Sequence, residues 1–245
     1  MSSTHPAKRH HVIIYPSKSH IFVTIGLIAL PFFFLLIFSR IAKIATGRLF
    51  LDLAMSCGRL AISYVVAAIL AWICAVAFYR GRRSVVALPI FDVLQSFPSF
   101  AILPLMTMFW GPSEKTVIFL LTLSIIWPIF FSVLSSLKLA RRDWEEAAEI
   151  AGWKGFEYLK RFVLPVSAPG LITGSIVGLG EGWEALVATE IIVHTPVGLG
   201  SFFSTFSQNT SITMLGVLGL LLLIFIINKL IWLPLLEQSH HLTED

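Results

Sequence analysis

Long apolar runs alternate with short polar islands along this chain. Runs at about 21–39, 60–79, 86–110, 116–137, 169–193 and 213–236 are each long enough to cross a bilayer as a helix, which predicts about six spans. The longest charged island, Arg141 to Pro165, reads RRDWEEAAEIAGWKGFEYLKRFVLP. Its pattern predicts a short helix capped by Asp143, with Glu146 completing a capping box and Glu145 and Glu146 in the first turn. Ala147, Ala148 and Ala151 are small helix formers, and Gly152 is a C-terminal stop. A helix of this length rises only about 13 Å, too little to span a membrane, so it is expected at the water interface. Phe156, Leu159 and Val163 mark a second short amphipathic turn before the chain re-enters apolar sequence at Leu164 and Pro165.

The polar residues inside the apolar runs are few and placed unevenly. The third run is broken by Pro89, Pro98 and Pro104 and carries Asp92, Gln95, Ser96 and Ser99. Proline frees backbone carbonyls, which a membrane tolerates only where protein or a water-filled cavity satisfies them. This run is therefore either a kinked packing helix or a polar helix lining a pathway. The fifth run repeats glycine every four residues, at Gly170, Gly174, Gly178 and Gly182, a stripe suited to close helix packing. Glu181 and Glu184 lie about 60° apart on one face of that helix, near the middle of the bilayer. They are expected to face the protein interior, a partner subunit or water, or to be protonated. Glu190 falls on the opposite side and nearer the external surface, where a carboxylate costs less.

Charge sets the expected topology. Arg80, Arg82 and Arg83 follow the second run, and Lys138, Arg141, Arg142, Lys154, Lys160 and Arg161 follow the fourth. The positive-inside rule puts both loops in the cytoplasm and, by alternation, both termini as well. Residues 40–59 conflict with this, since Arg40, Lys43, Arg48 and Arg59 then lie outside; an interfacial helix through Leu49, Phe50, Leu53, Ala54 and Leu60 is expected there. The domain reading is a cytosolic tail over 1–20, a membrane domain over 21–236 with cytosolic helices at 143–160, and a cytosolic tail over 237–245.

Composition agrees with an all-α membrane protein: 56% of residues are hydrophobic and 13% charged, with a mean hydropathy of +0.85. The net charge of +4 is distributed between apolar runs as topology signals, not as a nucleic-acid patch. Cys57 and Cys74 suggest neither a disulfide framework nor a metal site, and the His pairs at 10–11 and 240–241 read as solvated tails. The sequence holds no phosphate-binding GxxxxGK[ST] loop, nucleophile elbow or HExxH, so no bound cofactor and no catalytic residue is expected.

The island at 141–165 resembles the EAA loop of permease subunits of ABC (ATP-binding cassette) importers: Glu146-Ala147-Ala148, Gly152 and Leu164-Pro165 stand at the family's spacing, with Phe162 where an Ile is usual. Leu94-Gln95-Ser96-Phe97-Pro98, Leu103-Pro104-Leu105, Gly182-Trp183, Glu190 and Gly198-Leu199-Gly200 extend the resemblance over roughly residues 50–236, in the nitrate/sulfonate/taurine-type branch. It implies a type I importer permease fold in a bacterial inner membrane. It also implies a second permease subunit, two cytosolic ATPases carrying ATP-Mg, and an external solute-binding protein. Glu146, Ala147, Ala148, Gly152, Leu164 and Pro165 would couple to the ATPase. Asp92, Gln95, Ser96, Glu181, Trp183, Glu184 and Glu190 are candidate pathway residues. The branch points to a small anion; Glu181 and Glu184 argue against a bare one, since like charges repel across a low-dielectric path, and neutral or cationic compounds stay open. A stand-alone secondary transporter or channel would show paired broken helices in two related halves, and no internal repeat is present. A membrane enzyme using Glu181 and Glu184 as an acid/base pair has no metal site or nucleophile beside them.

Overall fold

The computed structural model describes residues 46–232 continuously, together with parts of 26–43 and residues 234–235. The expected tails at 1–20 and 237–245 lie outside the described residues, as does part of the first expected span, of which residues 36–39 are helical. The described residues hold helices and no strand. Among the described residues, four helices are long and apolar enough to cross a membrane, or up to five if the bent pair over residues 87–110 counts as one span, against about six expected from the sequence.

The first long helix, α1, runs Thr46–Phe78, about four turns earlier than the apolar run suggested. No separate interfacial helix forms over residues 49–60; they are the opening turns of the span. The polar residues that interrupted the hydropathy pattern there are satisfied by tertiary partners. Arg48 reaches the Asp52 carboxylate and the Pro196 carbonyl, while Arg59 reaches Glu190 and Glu114. Arg48 and Arg59 thus belong to the span and its partners and not to a separate interfacial helix.

The expected third span is divided. Helix α2 (Gly81–Ser96) ends at Phe97, a 3₁₀ turn covers Ser99–Ile102, and α3 follows over Leu103–Trp110. The two arms of the crossing are bent by 77°. Pro98 disfavours the helical conformation for the residue before it, and Phe97 is extended at ψ 125°.

Helix α4 (Glu114–Lys138) is the centre of the molecule, packed between α1 and the later helix α7. Its Val117, Leu121, Ile125, Ile129 and Val133 are completely buried. On α1 the facing stripe is Ala67, Ala71 and Ala75, one small side chain per turn, which lets the backbones approach.

After α4 come α5 (Arg142–Ile150) and α6 (Gly155–Tyr158); a π-turn over Leu159–Val163 leads into α7 (Leu164–Val193). The span expected at 169–193 therefore begins earlier, and the wider turn sits just before Pro165, whose missing N–H loosens the helical ladder. The glycine stripe of α7 faces α4. A methyl group on Gly174 would stand 2.6 Å from the Ile129 Cα, and one on Gly170 would overlap the Ser132 carbonyl. Hydrogen bonds also tie α7 to α1: Tyr64 to Ser175 at 3.0 Å, and Trp72 Nε1 donating to Ser167 Oγ at 2.9 Å. Helices α8 (Leu199–Thr205) and α9 (Thr210–Ile227) follow, and α9 runs on into a π-turn over Asn228–Trp232. Most of the α9 surface is apolar and uncovered, as a lipid-facing helix requires.

Candidate functional site

At one end of the bundle, the short helix α5 packs Ala148 and Trp144 against the core and projects its other face outward. Its N-cap is Arg141, with no side-chain cap; Asp143 lies inside the first turn and pairs with Arg141 at 2.9 Å, so the expected capping box does not form. Its C-terminus is closed by backbone geometry. Gly152 takes φ +71°, its N–H donates to the Glu149 carbonyl, and the Trp153 N–H donates to the Ala148 carbonyl. This is the paired Schellman closure, which needs a left-handed residue where the sequence offers glycine. Ala148 is buried against the core, while Glu146, Ala147 and Gly152 face outward. Ile150 and Phe156 are 88% and 77% exposed beside them, an apolar patch next to a carboxylate. Leu164 and Pro165, also exposed, open α7.

The projection is anchored on both sides. The Arg80 guanidinium, just past the end of α1, pairs with Glu145 at 2.5 Å and lies over the rings of Tyr79 and Tyr158. Burial works against that charge, but the Glu145 hydrogen bond and the neighbouring phenols outweigh it and raise the Arg80 pKa above its ordinary value. The loop after the second apolar run and the loop after the fourth therefore share one end of the molecule.

Midway along the bundle, a cleft of about 420 Å³ opens between the broken crossing, α4 and α7. Gln95, Phe97, Ser99 and Phe100 line it from the first, Ser124 and Trp127 from the second, Glu181 and Glu184 from the third. The bend at Phe97–Pro98 places Ser99 Oγ 3.1 Å from Ser124 Oγ and presents Phe97 and Phe100 to the opening. Of the candidate pathway residues, Gln95, Glu181 and Glu184 are brought together here. Asp92 and Ser96 are exposed elsewhere on α2, and Ser96 Oγ donates to the Asp92 carbonyl. Trp183 is buried and lines a different, apolar groove with Leu60, Tyr64 and Trp232.

Glu190 sits in neither place. It is completely buried at the other end of the bundle, where Arg59 donates to it at 2.6 Å, Ser56 Oγ at 2.8 Å and the Gly200 N–H at 2.8 Å. Arg59 also reaches Glu114 through two nitrogens and the Val197 carbonyl. Asp52 accepts from the Gly198 N–H and Ser56 from the Leu199 N–H, so the 197–200 segment is fastened to α1. Sequence reasoning missed Asp52, Ser56, Arg59 and Glu114. The available signal was charge balance: an arginine early in one span and a glutamate late in another fall at the same depth when the helices run antiparallel.

Residues 63–233 match the family described as binding-protein-dependent transport system inner membrane component. The nitrate import permease protein NrtB of Leptolyngbya laminosa is 29% identical over 71% of this chain and 65% of its own length. The taurine transport system permease protein TauC of Escherichia coli is 31% identical over 57% of this chain and 51% of its own. The bicarbonate transport system permease protein CmpB of Synechococcus elongatus is 26% identical over 55% and 51%. The chain thus spans between half and two thirds of the length of these relatives. With its spanning helices, the projecting α5 and a match over most of its length, the chain belongs to the binding-protein-dependent inner-membrane components, the ABC importer permeases.

Proposed function

We propose that this chain is the permease subunit of an ATP-driven importer and forms, with a second permease subunit, the pathway for a small solute. Two cytosolic ATPases carrying ATP-Mg would supply the energy, and an external binding protein the solute. The permeases it resembles are named for nitrate, taurine and bicarbonate, which supports a small solute of that size class. The reading places α5 and both termini in the cytoplasm of a bacterial inner membrane, and residues 21–236 in the membrane domain.

The observation that carries this reading is the projecting α5. An exposed carboxylate at Glu146, a small side chain at Ala147, and the apolar Ile150 and Phe156 form a surface suited to a groove on another protein. Rigidity supports the same role: the Schellman closure at Gly152 fixes the end of α5, and the Arg80–Glu145 pair ties it to the end of α1. Closure of the ATPase pair would push α5, and α7 behind it would move against α4, favouring an outward-facing state when ATP is bound. Glu146→Lys and Gly152→Asp test this by co-purification with the co-expressed ATPase and by uptake. Both variants are expected to insert in the membrane and to lose the ATPase or its coupling. Normal uptake by both would remove the docking role.

A further inference from the structure

The cleft between the broken crossing, α4 and α7 has a chemistry that the family resemblance to anion permeases does not anticipate. Among the described residues, its only charged lining groups are Glu181 and Glu184. Neither makes an ion pair or hydrogen bond with a described residue, and both are exposed to the opening. Around them stand the rings of Phe97, Phe100 and Trp127, the Gln95 amide, and the hydroxyls of Ser99 and Ser124.

The placement is deep. At 1.5 Å per residue, Glu181 is about 26 Å from the start of α7 and about 18 Å from its end. A carboxylate at that depth is costly unless something cationic or water-like meets it. The described residues supply no such cation. Arg59 is inside a spanning helix but is committed to Glu190 and Glu114. The other basic residues of the described segments stand at helix ends or in connections.

We infer that the solute crossing this cleft carries a positively charged nitrogen, as an organic cation or a zwitterion, and that bare inorganic anions are disfavoured. This rests on the permease reading and names the solute class within it. The carboxylates meet the positive group, the aromatic faces attract it and cover its apolar substituents, and Gln95 with the serines satisfies polar groups on the remainder. A nitrate or bicarbonate ion would instead face two fixed like charges with no cation among the described lining residues.

The test uses the full permease, with its ATPase and binding protein, in a background with Cys57 and Cys74 replaced by alanine and Ser99→Cys as the reporter. Its modification by a trimethylammonium methanethiosulfonate is compared with that by a sulfonate methanethiosulfonate, each normalised to its rate with a free thiol. The cationic reagent is expected to be favoured by about tenfold or more, and Glu181→Gln with Glu184→Gln to bring the ratio close to one. Tetramethylammonium should protect the reporter and nitrate should not. Anionic preference, or protection by nitrate and not by tetramethylammonium, overturns the inference. Retention of the ATPase in the same preparation separates the two readings: anionic preference with the ATPase retained sinks the solute class alone, whereas loss of the ATPase from the wild type sinks the permease reading.

Discussion

The buried cluster around Glu190 gives the sharpest energetic prediction. Glu190 is fully enclosed and accepts from Arg59, Ser56 and the Gly200 N–H, all within 2.9 Å. Arg59→Met removes its counter-charge and leaves a buried carboxylate with only a hydroxyl and a backbone N–H, a loss of about 3–5 kcal/mol. Glu190→Gln is milder. The amide still fills the site, and Arg59 keeps its paired contact with Glu114, which is half exposed. One charge-assisted bond is exchanged for a neutral one there, for about 1–3 kcal/mol. The pair should therefore couple strongly: Arg59→Met with Glu190→Gln should cost less than the two single changes added, by about 2 kcal/mol or more. Denaturant titration of the detergent-solubilised protein, followed by tryptophan fluorescence, reads all of these as midpoint shifts. Additive effects, or an Arg59→Met protein within about 0.5 kcal/mol of wild type, would refute the claim that this ion pair fastens the 197–200 segment to α1.

Other substitutions test the packing and the anchoring of α5. Gly174→Leu drives a side chain into the Ile129 backbone and is expected to cost about 1–3 kcal/mol or to abolish folding, while Gly58→Ala, with open space around it, should unfold like wild type; equal midpoints for the two would argue against the glycine stripe as a contact surface. Arg80→Ala removes a half-exposed pair, so the unfolding midpoint should move by less than about 1 kcal/mol. Transport per ATP hydrolysed should nevertheless fall, because α5 loses its tie to α1; unchanged coupling in proteoliposomes would dismiss that tie. Gly152→Ala keeps the space but forces alanine to φ +71°, a strain of about 1 kcal/mol, which should appear as weaker ATPase binding with normal membrane insertion.

How much was legible depended on whether a feature was local. The projecting helix was readable because its Schellman ending requires only a glycine at one position, and Gly152 stands there. Its capping box was not, because Asp143 had a competing partner in Arg141, two residues away. The glycine repeat at 170–182 marked a face that the structure packs against α4, since a period of four residues keeps one side of a helix narrow whatever it meets. Glu181 and Glu184 share a face, as helical spacing requires, but Trp183 between them points to another groove. Asp92 and Ser96 shared the third run with Gln95, yet only Gln95 lines the cleft.

Hydrophobic run length, glycine spacing and the EAA-like island already determined a helical membrane protein of this family, because burial from water and backbone satisfaction in lipid act on every segment alone. Which polar residues belong to a span was decided only in three dimensions. Residues 46–59 join α1 because Asp52, Ser56 and Arg59 find the 196–200 segment, Glu114 and Glu190 across the bundle. A charge in a membrane is tolerated or expelled according to its partner, and that partner lies more than a hundred residues away in the chain at Glu190.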